Sequence, residues 1–236
     1  MRKCLIISIL IFTGLCSYGQ KSNSKTKKVA LESEIKVSTK NSNDQRSQNY
    51  DLERYIYTDT TYLSSIGKGI TIQNSFPKGG MIEADGTQYI DSSGKKYGFV
   101  VFWTRIINET TTPLELNINF PADSFPVFTP PGSYLKLFLP TETMTFDNLS
   151  SFNYGLTGLK SYLDANFNKA GILQKTINPN EEHIFYIIGL SHQAGGFVRA
   201  ALILKKRDLY YRMNIAPHGS GTIPFGKIAM KNKADN

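Results

Sequence analysis

Cysteine and histidine are both scarce in this chain. Its two cysteines, Cys4 and Cys16, fall within the first 19 residues. The rest therefore has no disulfide available to it, and its stability has to come from core burial. The three histidines, His183, His192 and His218, stand at no metal-ligand spacing, so the zinc signatures readable from a sequence are excluded. No pattern for binding a nucleotide or another cofactor is present. Apolar runs are short: residues 4–15 form the most continuous one, and roughly 20 residues are needed to span a bilayer, so no transmembrane span is expected in the mature chain. Between residues 21 and 51 there is no glycine or proline, and Tyr50 is the single aromatic.

What the first residues do contain is an export signal. Arg2 and Lys3 precede the apolar run, and Ser17, Tyr18 and Gly19 place small residues three and one positions before Gln20. This order of charge, apolar stretch and small-x-small site predicts a cleavable signal peptide over residues 1–19. Glycine just before glutamine at that point resembles the exported proteins of Bacteroidota. The resemblance covers this segment alone and implies a periplasmic, secreted or cell-surface bacterial protein without implying an activity. Lipidation of Cys16 competes with release, but Thr13, Gly14 and Leu15 precede it, and bulky Leu15 stands where a lipoprotein signal carries a small residue. Release at Gln20 is the expectation.

The formal net charge of +8 suggests an anionic partner only until it is divided along the chain. Arg2 and Lys3 carry two of the charges; residues 20–54 hold eight basic and five acidic residues, and residues 55–236 hold seventeen and fourteen. A nucleic-acid binder needs a concentrated basic patch. The densest cluster, Lys205, Lys206 and Arg207, runs into Asp208 at an expected hairpin turn, so it is read as a solubilising turn and no nucleic-acid partner is expected.

Residues 20–54 read as a disordered polar linker, too poor in apolar surface to offset the entropy of ordering. Within it Val29, Ala30, Leu31, Ile35 and Val37 could supply one or two transient helical turns. Residues 55–236 alternate aromatic, β-branched and polar types between Gly, Pro and Asn, the period-2 signal of strands. In residues 114–120, Leu114, Leu116, Ile118 and Phe120 face one way, with Glu115, Asn117 and Asn119 opposite. Residues 97–107 are apolar on both faces and read as a central strand, with Trp103 in the core. Further strands are expected at 69–76, 134–139, 172–177, 183–190, 197–204, 209–215 and 223–230. Asn178, Pro179 and Asn180 form a turn. A helix is expected over 156–167, where Leu156, Leu159, Leu163 and Phe167 share a face, packed across an open end of the strands. About nine strands without helical crossovers imply an all-β fold, an antiparallel immunoglobulin-like β-sandwich with one short helix.

Catalytic and metal readings are weak residue by residue. Glu181, Glu182 and His183 are adjacent, but neighbours on a strand point to opposite faces. His192, after Ser191, precedes Gln193, Ala194, Gly195 and Gly196, and His218 precedes Gly219, Ser220 and Gly221. Neither stretch has the Gly-x-Ser-x-Gly form of a nucleophile elbow. Asp85 and Asp91 flank a turn-rich stretch that lacks the ordered oxygen ligands of a calcium loop. Aromatics are the better pointer, since flat rings with polar neighbours hold sugars and peptides. Tyr55, Tyr57 and Tyr62 form one candidate ligand surface, and Tyr210 with Arg212 another. Asp59, Thr60 and Thr61 resemble the short acceptor motif of Bacteroidota O-glycosylation. The expected function is an exported, non-enzymatic module binding an envelope protein or surface glycan. The alternative is an envelope-polymer hydrolase with His192 or His218 as base.

Overall fold

The computed structural model describes residues 36–38, 52–63, 67, 69–126, 132–193, 197–216 and 219–230. The expected signal segment with Cys16, most of the expected polar linker, and His218 lie outside them.

Two antiparallel sheets face each other, as the alternation predicts. The first contains β1 (Lys36–Ser38), β2 (Ile56–Leu63), β3 (Gly69–Ser75), β6 (Lys96–Asn108), β11 (Glu182–His192), β9 (Tyr134–Phe138) and β8 (Phe125–Pro126) in that spatial order, with β4 (Lys78–Gly79) and β5 (Tyr89–Ile90) also paired to β6. The second runs β10 (Gly171–Ile177), β7 (Leu114–Phe120), β14 (Gly219–Met230), β13 (Asp208–Ala216), β12 (Phe197–Lys205). One core lies between them, where Ile72, Phe102, Ile106 and Ile187 of the first sheet meet Leu116, Phe120, Leu202, Tyr211 and Phe225 of the second. Burying each such side chain stabilises the fold by about 1.5–3 kcal/mol.

β6 is buried on both faces, as its sequence predicts, because a second core covers the outer side of the first sheet. There Tyr97, Phe99, Val101 and Trp103 pack against Ile82, Tyr89, Tyr154, Leu156, Leu159 and Leu163. Residues 139–170 supply most of this cover through two 3-10 turns, Phe146–Asn148 and Phe152–Gly155, and helix α1 (Leu159–Asn166). The helix therefore lies on a sheet face and not across an open end. The apolar outer side of β6 demands a cover, and an open end does not. Its start is three residues later than the apolar spacing suggests, since Asn153, Tyr154 and Gly158 all have left-handed backbone, which a helix cannot continue.

Two buried or half-buried lysines tie the cover down. Lys78 Nζ donates to the Leu149 and Ser151 carbonyls at 2.6 Å each. Lys136 Nζ donates to Ala122 at 2.7 Å and Phe167 at 2.9 Å. Burial holds both ammonium groups below the ordinary lysine pKa, with Asp123 acting against that for Lys136.

Residues 36–38 and 52–54 are the described part of the expected polar linker. Val37, one of the residues that could supply a transient helical turn, lies in strand β1 opposite Tyr62 of β2. Leu52 packs on the outer-face core, so ordered packing begins before Tyr55. No helix among the described residues is long and apolar enough to cross a membrane.

Candidate functional site

The outer face of the second sheet is the one large sheet surface that no described element covers. Its residues follow from alternation and register. Leu114, Leu116, Ile118 and Phe120 turn into the core, so Asn117 and Asn119 of β7 are exposed on the far side. Asn117 lies opposite Gln174 of β10 and Lys227 of β14, and Asn119 opposite Ile172, which is 65% exposed. On β13, buried Leu209, Tyr211 and Met213 leave Tyr210, Arg212 and Asn214 facing outward. Tyr210 is half-buried, opposite Ile203 of β12 and Pro224 of β14; Arg212 is opposite Ala201 and Thr222. The Lys205 ammonium sits 5.1 Å from the Tyr210 ring centroid. Ring, amides and cations thus share one broad surface.

The other aromatic candidates do not join it or one another. Tyr62 is only 9% exposed, and its hydroxyl accepts the Leu204 N–H at 3.1 Å in the inter-sheet core. Burial first, opposed by the Leu204 bond and Arg212, raises its pKa. It is no ligand contact, because its register opposite Ile70 points it inward. Tyr55 packs edge-on against Tyr154 with Lys78 between them in the outer-face core. Tyr57 is 37% exposed beside Phe76, with the Arg199 guanidinium 5.8 Å from its ring. A register shift between Ile56 and Thr58 helps to separate the three rings. Asp59–Thr60–Thr61 lies within β2. Thr60 is half-buried opposite Ile72, and buried Thr61 donates to Thr71, which donates to Glu109.

The histidines assemble no acid-base set among the described residues. His183 stacks on Phe185 at 5.7 Å, and burial followed by Lys175 lowers its pKa, which leaves it neutral at pH 7. Glu181 accepts from the Asn178 backbone and side chain, and Glu182 accepts from Arg105 Nε at 2.9 Å. Both carboxylates are committed away from the ring. His192 lies against Tyr97 and Tyr134, with Nδ1 3.3 Å from the Lys96 carbonyl.

Asp85 and Asp91 each close their own turn. Asp85 Oδ1 accepts from Thr87 N and Oγ1. Asp91 accepts from Ser93 N and Oγ, Lys95 N and the Tyr97 hydroxyl. Desolvation pushes the Asp91 pKa up, but these bonds outweigh it and bring it down to about 2. Among the described residues no cluster of three or more His, Cys, Asp or Glu could hold a metal ion.

The sequence singles out Tyr210 and Arg212 of this face but not Asn117, Asn119, Gln174 and Lys227. The outward position of the β7 asparagines is readable from alternation. Their meeting with β10 and β14 depends on strand order, which alternation does not encode. Compared with known protein families and with curated proteins, the chain matches none.

Proposed function

We propose that this chain is an exported, non-enzymatic binding module of the bacterial cell envelope that holds a surface glycan on the outer face of its second sheet. The observation that carries the reading is the contrast between the two outer faces. One is covered largely by residues 139–170, while no described element covers the other, which presents Tyr210, Asn117, Asn119, Gln174 and Arg212. Side-chain amides hydrogen-bond sugar hydroxyls, and an aromatic ring offers an apolar platform for the sugar's C–H face. Such a set on rigid strands needs little ordering when a ligand arrives.

Retention of the purified protein on a column of immobilised envelope polysaccharide tests the proposal. Tyr210→Ala and Asn117→Ala should each elute early, and Tyr57→Ala should elute with the wild type. Unchanged retention of both face variants, or no retention of the wild type, would overturn the reading.

A further inference from the structure

One corner of the open face is more basic than the sequence suggests. The hairpin turn Lys206–Arg207 joins β12 to β13, and Lys205, at its start, lies opposite Asp208. Asp208 in turn lies opposite Lys227, which comes from β14, twenty residues further along the chain from the turn. The Arg207 carbonyl accepts the Ile228 N–H at 2.9 Å, which fixes the turn against β14. Register thus gathers Lys205, Lys206, Arg207 and Lys227 around a single carboxylate. Arg212 stands two residues beyond Tyr210 on the same face, about 7 Å along the strand. Lys205 and Lys227 are two strand spacings apart, roughly 10 Å, close to the screening length of physiological salt. Both flank Asp208, two residues along β13 from Tyr210. The face's other carboxylate, Glu115, is engaged by the Thr176 hydroxyl at 3.1 Å from each oxygen.

We infer that the glycan this face takes is an acidic one, a polysaccharide carrying carboxylate groups. This rests on the glycan-binding reading above. The Tyr210 ring and neighbouring amides receive a sugar ring, while Lys205, Lys227 and Arg212 receive the carboxylates of that ring and the next. The charge complementarity is the ground for choosing an acidic polymer over a neutral one. The need for a ring platform is the ground for choosing a polysaccharide over an anionic lipid surface. Lys205 links the two requirements, since its ammonium already lies over the Tyr210 ring, 5.1 Å from the centroid, where a ligand carboxylate can draw it off the ring.

Affinity electrophoresis of the purified full mature chain in gels containing alginate, a polyuronate, or neutral dextran provides the test, with sedimentation on phosphatidylglycerol vesicles alongside. Alginate should retard the protein and dextran should not. The double variant Lys205→Gln/Lys227→Gln should weaken retardation roughly tenfold, Tyr210→Ala should weaken it comparably, and added salt should weaken it for the wild type. Two results would overturn the acidic assignment while leaving glycan binding standing: equal retardation by dextran, or retardation by alginate that the double variant keeps. Retardation that survives Tyr210→Ala, together with tight vesicle binding, would make the corner a lipid-facing patch and overturn the assignment. Failure of both polymers to retard would overturn the assignment and the glycan reading together.

Discussion

Replacing Asn74 with alanine should unfasten the two sheets. Asn74 is on β3 of the first sheet and only 3% exposed. Its side-chain carbonyl accepts the Leu202 N–H at 2.8 Å and the Thr104 hydroxyl at 3.0 Å; its amide donates to the Leu202 carbonyl at 3.2 Å and to Thr58 Oγ1 at 2.9 Å. Leu202 is on β12, the edge of the second sheet, so the amide acts as a short stand-in for a missing neighbouring strand. Alanine leaves that buried N–H and C=O unpaired along with two hydroxyls. An orphaned buried polar group costs about 1–3 kcal/mol, and the two backbone groups alone bring the expected loss to about 2–6 kcal/mol. That is a large part of a typical domain stability of about 5–15 kcal/mol. Urea unfolding followed by fluorescence reads it directly, because Trp103 is the single tryptophan and is wholly buried. Thr58→Ala, which removes one of the four bonds, should lose only about 1 kcal/mol. A loss under about 1 kcal/mol for Asn74→Ala, with an unchanged denaturant slope, would refute the idea that this amide ties the sheets.

Alkaline pH should destabilise the fold through its tyrosines. Burial raises Tyr154 and Tyr162 to about 12; on Tyr154 the Ser75 hydrogen bond opposes it and Tyr55 adds a little, and on Tyr162 Glu142 adds to it. The unfolded phenols ionise near 10, so this stability is complete below that pH and is lost as pH rises from about 10 through 12; urea midpoints across that range measure it. At the acid end the sign reverses for Asp91, whose folded pKa of about 2 is below the ordinary value of about 3.9. Its contribution is present above that value and lost as pH falls toward 2, and Asp91→Asn should flatten the acid limb of the stability profile. In the cover, Gly158→Ala should cost about 1–2 kcal/mol for a left-handed residue in open space. Gly155→Ala should cost more, because its φ is +82° and a Cβ there would come within 2.6 Å of Asn148. Equal thermal midpoints for the two would contradict the crowding at Gly155.

Much of the sandwich is legible in the sequence wherever one residue type decides a position. The two-sided apolarity of β6, the alternation of β7, and the turns at Asn178–Asn180 and Lys205–Arg207 are all visible there and all present. Asn180 and Lys206 take the positive φ, 62° and 58°, that such tight turns require. β2 is harder to read, because Thr58 and Thr61 meet the polar partners Asn74 and Thr71 inside the fold and blur its period. The place of α1 is hidden for a different reason. An apolar helical stripe states that a helix is covered and not by what. The candidate site was half legible. Tyr210 and Arg212 follow from alternation within β13, whereas Tyr62 shares their composition and is buried by a neighbour far away in sequence. The basic corner needs Lys227, which only the β13–β14 register brings to Lys205.

The side-chain amide resonances of Asn117, Asn119 and Gln174 give the most direct test that the open face binds a glycan. They can be followed by NMR during titration with polysaccharide purified from the envelope of the producing organism. Progressive shifts are expected at these three amides, while the Asn153 amide, buried in the cover and bonded to the Met81 carbonyl at 3.0 Å, stays fixed. Shifts confined to the cover or to the end of the first sheet around Tyr134 and His192, with the three face amides unmoved, would contradict it.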